Sequence, residues 1–344
     1  MSMRDQVRWA VVGTSGWADH TFARAIAAGG GALIGAAGSS REGSAAFAAR
    51  HFAPRIFGSV EEVGDCDDVD AVWVASPSNQ HHDHALMLLR AGKHVLVEKP
   101  LALNVVDGEE MVAEAAGSGR VTAVGFQHRF NPAHRFVAEL VQEGHLGPLT
   151  FARLHMFIQA PDLPTPWRRS VDTSGGWAIN DLGSHLLDLL NFIVTGFSTV
   201  ASSLTAARFE LDADDLAIVL LRRGAASAVL DVSTGLADKE SRLELFGLDG
   251  QVVVEDSWPG GGRVRFGSEV RSFGVADTYA AQVRAFNEAV ASEGGYGGAD
   301  WPAGLAVVRQ VADAHRLAAN DDRGAEAADR TGRTEDGAGK TAAR

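Results

Sequence analysis

Cysteine is nearly absent. Cys66 is the only one in 344 residues, which excludes an intrachain disulfide and a zinc site built on cysteines. Basic residues are also scarce: 31 Lys and Arg face 44 Asp and Glu, for a formal net charge of −13. No Lys/Arg cluster breaks that excess, so a nucleic-acid-binding face is excluded. An anionic cofactor must therefore be held by local dipoles and a few placed cations, against the overall field. No run reaches the ~18–20 apolar residues of a membrane span. The N-terminus enters a strand within a few residues and lacks a basic-then-apolar leader pattern, so a soluble, cytoplasmic protein is expected. What is present in quantity is ordinary: 46% hydrophobic residues, enough for sizeable cores over a length that fits two domains.

From Val7 to about Phe126, apolar strand-like runs alternate with helical stretches. WAVVG, ALIGAAG, VDAVWVASP, HVLVEKP and VTAVGF read as strands, and the stretches between them as helices, with IFGSVEEV a short connection into a helix start. That βαβα order predicts a doubly wound parallel sheet covered on both faces, a Rossmann-type domain over residues 1–127. Beyond it the texture changes. A helix over Pro132–Glu143 and a strand over Leu149–Gln159 precede a helix from about Asn180 to Phe192. Strands then follow one another without helices, which predicts a large, mostly antiparallel open sheet in a second α/β domain over 128–319. Helices over Tyr279–Ala291 and Gly304–Ala319 close that domain, the last able to pack back on the first. The polar tail 320–344 reads as disordered.

Four segments carry candidate chemistry. Gly13-Thr14-Ser15-Gly16-Trp17-Ala18 approximates the G-x-G-x-x-G/A turn that holds a diphosphate at a helix N-terminus, with serine at the second glycine position. The alternative is an ordinary tight turn. After the second strand, Ser39-Ser40-Arg41 stands where an NAD site has an acid; hydroxyls and an arginine suit a 2′-phosphate, which favours NADP(H), with NAD(H) the other possibility and Glu42 a complication. Ser76-Pro77 and Glu98-Lys99-Pro100 end adjacent strands at the edge where such sheets bind ligands, and a lysine there can stabilise a developing alkoxide. His81, His82, Asp83 and His84 do not converge, so no metal site is read there. In GGWAINDLGSHLLDL, Asp181 and His185 are four apart and share a helix face, as a carboxylate–imidazole acid–base pair needs; a solvated helix start is the alternative.

Together, VVGTSGWA, DAVWVASPSNQHHDHALMLLRAGKHVLVEKPLA, VGFQHRFNP and GGWAINDLGSHLLDL resemble the glucose–fructose oxidoreductase / inositol dehydrogenase family, Gfo/Idh/MocA, from about Val7 to Ala319. The resemblance implies NAD(P)-linked oxidation or reduction at a carbinol carbon of a sugar, cyclic polyol or related compound. It implies Lys99, Asp181 and His185 as catalytic, and Ser76, Pro77, Asn79, His81, Glu98 and Gln127 as lining the cofactor. By the same resemblance Trp167 and Arg168 match a Trp-Arg pair that flanks cofactor and substrate, Tyr279 matches a tyrosine beside them, and Arg129 is a substrate-side candidate. It further implies self-association as a homodimer or homotetramer. A non-catalytic cofactor-binding protein and a redox-neutral glycoside-cleaving member stay open as alternatives.

Overall fold

The computed structural model describes residues 6–160, 164–236, 238–258, 260–292 and 294–335, with only the backbone of 321–335. Its first half alternates β1 (Arg8–Val12), α1 (Ala23–Ala28), β2 (Ala32–Ala37), α2 (Arg41–Arg50), β3 (Arg55–Phe57), α3 (Val60–Gly64), β4 (Ala71–Val74), α4 (His81–Arg90), β5 (His94–Val97), α5 (Val105–Ser118) and β6 (Thr122–Val124). The central strands are short apolar runs buried along almost their whole length, as parallel strands covered on both faces must be. Side chains start the helices: Ser40, Ser59 and Asn104 accept the backbone N–H groups of Gly43, Glu62 and Asp107. All the strands pair in parallel, in the order β3-β2-β1-β4-β5-β6. The order reverses between β1 and β4, which places a ligand crevice outside the carboxyl ends of these two strands.

The second half begins with α6 (Pro132–Gln142), capped by Asn131 with proline at its first position. It continues through β7 (Leu149–Phe157), α7 (Val171–Ser174), α8 (Ser184–Ile193), β8 (Ser198–Thr205), β9 (Leu216–Arg223), β10 (Ala226–Ser233), β11 (Glu240–Gly247), β12 (Gln251–Glu255), β13 (Gly262–Phe266) and β14 (Glu269–Phe273). These strands form one sheet, β14-β13-β12-β11-β7-β10-β9-β8, antiparallel except where β7 and β10 run parallel. Alternating burial along β9 and β10 turns one face to the segment Ile179–Gly183 just before α8 and the other outward.

Two long helices finish the chain, α9 (Thr278–Ser292) and α10 (Trp301–Glu335). Both return to the first sheet. Asn287 accepts the indole N–H of the buried Trp9 at 2.9 Å, and Gln282 Nε2 and Trp301 Nε1 donate to the Val124 and Ala123 carbonyls of β6 at 2.9 and 3.2 Å. Farther along, α10 takes hydrogen bonds from Thr199 and Ser202 of β8, so it bridges both sheets.

The structure departs from the sequence reading at three places. β3 was read as a connection, and β13 and β14 were not read as strands; β14 has no buried residue and β13 only Val264, so no alternation marks them. The backbone of α10 also stays helical past Ala319, through part of the stretch read as a disordered tail. Extending an existing helix adds one hydrogen bond per residue without a new nucleus, and no proline interrupts 320–335. The rest of that tail, 336–344, lies outside the described residues.

Candidate active site

Chain reversals at the carboxyl edge of the first sheet build one lip of the crevice. Gly13, after β1, has φ +101°, and a Cβ there would run into the Ala75 carbonyl beyond β4, so only glycine fits. Gly16 is the opposite case: nothing lies within 4 Å of where its Cβ would be. Ser15, Gly16 and Trp17 are exposed, and the chain then winds through a wide π turn, Ala18–Phe22, into α1. A packed first glycine, an open approach beside Gly16 and a helix start with its partial positive charge fit a dinucleotide pyrophosphate. The exposed Ser15 takes no room from the core.

Beyond β2, Ser39, Ser40 and Arg41 are exposed, and Ser40 Oγ already accepts from Gly43 N at 3.1 Å. No carboxylate ends the strand; Glu42 sits exposed in the first turn of α2. The three histidines nearby go to different partners. His81 is buried, with Nδ1 2.7 Å from the Pro100 carbonyl and Nε2 2.9 Å from that of Ser76. It ties the ends of β4 and β5 together from beneath and does not line the crevice, contrary to the sequence reading. Burial lowers its pKa to about 4. His84 meets Ser76 Oγ at 3.0 Å, while His82 lies between Asp83 and Glu110. Asn79 is exposed and Pro77 half-buried.

The centre of the site is an ion-paired triad. Lys99, in the Lys99–Pro100 segment after β5, donates to Asp181 Oδ1 at 3.1 Å and to the Asp181 and Asn180 carbonyls at 3.1 and 3.4 Å. The second Asp181 oxygen accepts from Arg168 Nε at 2.7 Å, and the Arg168 guanidinium stacks 4.1 Å from the Trp167 ring centroid. Asp181 lies in a second wide π turn, Ile179–Gly183, which leads into α8; such turns recur at functional sites. Burial alone would raise the Asp181 carboxyl, but Lys99 and then Arg168 hold it below its ordinary value, so it stays ionised.

His185 stands one turn further along α8, buried, and it is not bonded to Asp181. Both carboxylate oxygens already have charged donors, which bind more strongly than a neutral imidazole. The carboxylate–imidazole pair read from the four-residue spacing is thus replaced by a carboxylate between two cations. The His185 ring instead packs edge-on against His128 and Phe126, with centroids 4.9 and 5.9 Å away, and its buried Nδ1 has no partner among the described residues. Burial, then Lys99 and His128, hold its pKa well below 6.5, so the imidazole is neutral at pH 7.

Arg129 also differs from expectation. Its guanidinium forks onto Asp188, Nε at 2.9 and 3.1 Å and Nη2 at 2.7 Å, so it is committed to a buried ion pair and does not face the crevice. Gln127 is buried, with Oε1 unpaired among the described residues. Glu98 accepts the Trp73 indole N–H at 3.0 Å, and burial pushes it up to about 7. Tyr279, from α9, packs 6.4 Å from Trp17 and 6.0 Å from Phe22, bringing the end of the chain to the cofactor turn. Sequence reasoning missed His128, Phe126 and Trp258, whose ring lies 5.2 Å from that of His128. No spacing marks them, because only the fold brings them together.

Residues 7–126 match an oxidoreductase family model with an NAD-binding Rossmann fold, and residues 134–253 match the GFO/IDH/MocA C-terminal domain. Over 187 residues the chain is 35% identical to a 1,5-anhydro-D-fructose reductase of Ensifer adhaerens, covering 54% of this chain and 56% of that protein. Over 216 residues it is 28% identical to a trans-1,2-dihydrobenzene-1,2-diol dehydrogenase of Xenopus tropicalis, covering 62% and 64%. The matched stretch thus spans little more than half of the reductase's own length. A levoglucosan dehydrogenase solved with NADH and levoglucosan superposes with a TM-score of 0.84 at 20% identity, over 92% of this chain and 98% of that one, a likeness of fold. Matched in both of its halves, the chain belongs to the Gfo/Idh/MocA family of oxidoreductases.

Proposed function

We propose that this chain is a nicotinamide-dinucleotide-dependent oxidoreductase acting on a CH–OH or carbonyl carbon of a sugar or cyclic polyol. The observation that carries the reading is the Lys99–Asp181–Arg168 cluster beside a buried, neutral His185, at the crevice edge of a sheet whose first turn fits a diphosphate. The names of two relatives, a reductase of an anhydro sugar and a diol dehydrogenase, support the substrate class.

The bound dinucleotide supplies the hydride donor or acceptor. Gly13 to Ala18 would hold its pyrophosphate, and Ser39, Ser40 and Arg41 its adenosine ribose. In the oxidative direction His185 takes the hydroxyl proton. Its Nδ1 is sealed off, which leaves Nε2 as the accepting atom. The Lys99 ammonium steadies the oxygen as negative charge builds, the role of a preorganised cation in a shielded site. Asp181 holds Lys99 and Arg168 in register, and Trp167 backs Arg168. NADP(H) is favoured over NAD(H), because no carboxylate ends β2 and Arg41 offers an exposed cation there. The outward face of the second sheet exposes Val200, Ile218 and Leu220, apolar surface suited to pairing subunits as a dimer or tetramer.

The test is a titration with NADPH and with NADH, followed by quenching of tryptophan fluorescence, since Trp17 is 53% exposed in the cofactor turn. Saturable binding with NADPH the tighter supports the reading. Arg41→Ala should then weaken NADPH by about tenfold or more, the worth of a charged hydrogen bond, and leave NADH unchanged. Failure of a folded sample to bind either dinucleotide rejects the function.

A further inference from the structure

His128 stands between the candidate catalytic imidazole and a tryptophan. Its ring is 4.9 Å from that of His185 and 5.2 Å from that of Trp258. Trp258 forms one wall of a cavity of about 200 Å³, with Met156, Lys239, Glu240, Ser241 and Asp256 around it. At about 30 Å³ for each water, that is room for roughly seven waters, or for one sugar-sized ring.

The tryptophan is held in place with care. Its backbone N–H donates to Ser241 Oγ at 3.2 Å, and the fully buried Asn131 donates from Nδ2 to the Ser257 and Gly261 carbonyls, 2.9 Å each, on either side of it. Asn131 follows the His128 segment directly and caps α6, so one side chain fixes Trp258 relative to His128. Asp256 turns the chain with φ 54°, a conformation that aspartate tolerates better than most residues. The Trp258 indole N–H meets no acceptor among the described residues, and Lys239 Nζ lies 5.7 Å from its ring centroid. A half-exposed aromatic, fixed in position, with an unused donor and charged groups at its rim, is built like a recognition wall.

We propose that this cavity is a subsite for a second ring of the substrate, next to the one that reacts, and that the ring is neutral and polyhydroxylated. Its C–H face stacks on Trp258, and its hydroxyls bond to Lys239, Asp256 and Ser241. The His185 and Trp258 ring centroids lie 4.9 and 5.2 Å from that of His128, which puts the two anchors within reach of linked rings, as in a glycoside. Glu240 and Asp256 outnumber Lys239 at the rim, which disfavours a phosphate or carboxylate there. The proposal rests on the sugar-oxidoreductase reading above, but its test does not require turnover.

Binding of cellobiose, methyl β-D-glucopyranoside and glucose 6-phosphate is measured by calorimetry, on the protein alone and on the protein saturated with dinucleotide. Cellobiose is expected to bind at least about tenfold tighter than the methyl glucoside, the scale of a buried aromatic anchor. Trp258→Ala should erase that advantage without changing dinucleotide affinity, and Trp258→Phe should keep most of it. Equal binding of the two neutral probes, an advantage that survives in Trp258→Ala, or preference for glucose 6-phosphate overturns the proposal. Lack of dinucleotide binding would reject the enzymatic reading and leave the cellobiose comparison readable in its own right.

Discussion

His134 offers a direct way to ask whether burial keeps the imidazoles around the site neutral. It lies on α6, fully shielded; its Nδ1 donates to the His128 carbonyl at 3.0 Å, and its ring is 5.7 Å from that of His128. Burial pulls it from 6.5 to about 4, the same desolvation that takes His128 to about 3 and His185 well below 6.5. The unfolded chain therefore binds a proton between those two pH values that the folded chain refuses, and stability falls as pH drops through that window. At about 1.36 kcal/mol per pH unit the loss reaches roughly 3 kcal/mol by pH 4, with roughly 2 kcal/mol of it already gone at pH 5. His134→Gln cannot take the proton but keeps an N–H donor for the His128 carbonyl. Urea unfolding of both proteins at pH 7 and pH 5 should show the wild type losing about 2 kcal/mol more than the variant. Comparing the two cancels the relief of acidic surface repulsion. It also cancels Glu98 and Asp214, both raised to about 7 by burial and so acting in the opposite direction. Parallel losses in the two proteins would refute the neutral cluster, and with it the neutral His185.

The remaining predictions concern turnover. His185→Ala should lower kcat by about 10²–10⁴-fold while dinucleotide affinity is kept; an unchanged kcat in steady-state kinetics would reject it as the proton acceptor. Asp181→Asn leaves Lys99 and Arg168 facing an amide, a loss of about 1.5–3 kcal/mol that should cut kcat roughly ten- to 150-fold. A wild-type rate in that variant would mean that the carboxylate does not position Lys99. Because His185 is held well below 6.5, kcat/KM for oxidation should show no acid limb near pH 6.5. A limb there would show an imidazole titrating at its ordinary value.

The first sheet was legible because its strands are brief apolar runs punctuated by glycine and by serine or asparagine helix caps, signals that live within ten residues of one another. The edge strand β14 and its neighbour β13 were not, since Arg263 and Arg265 flank the single buried Val264 and no hydrophobic period forms. At the site, the residue types were legible and their partners were not. Asp181 and His185 do lie on one run of chain, the π turn and the start of α8, but Lys99 and Arg168 arrive from other segments and claim the carboxylate. Arg129 was noticed, yet nothing local says that Asp188 neutralises it. His128 and Trp258 touch only because Asn131 reaches across 126 and 130 residues to the Ser257 and Gly261 carbonyls, a long-range bond with no sequence signature.

The return of α9 and α10 to the first sheet sets an order of events during synthesis. The strands that carry Trp9 and Trp73 leave the ribosome first, while the residues that cover them, Val283, Phe286 and Asn287 of α9, come late, and Trp301 of α10, which closes on β6, later still. At roughly 5–20 residues per second, the interval from β6 to α10 is on the order of ten to thirty-five seconds. Throughout it, a bare tryptophan-rich face is open to chaperones and to neighbouring nascent chains. A fragment ending at residue 127 would stay in that state permanently. For this protein, then, the boundary between the two sheets is a poor place to cut, and quality control has its longest view of the chain just before the last helices close over it.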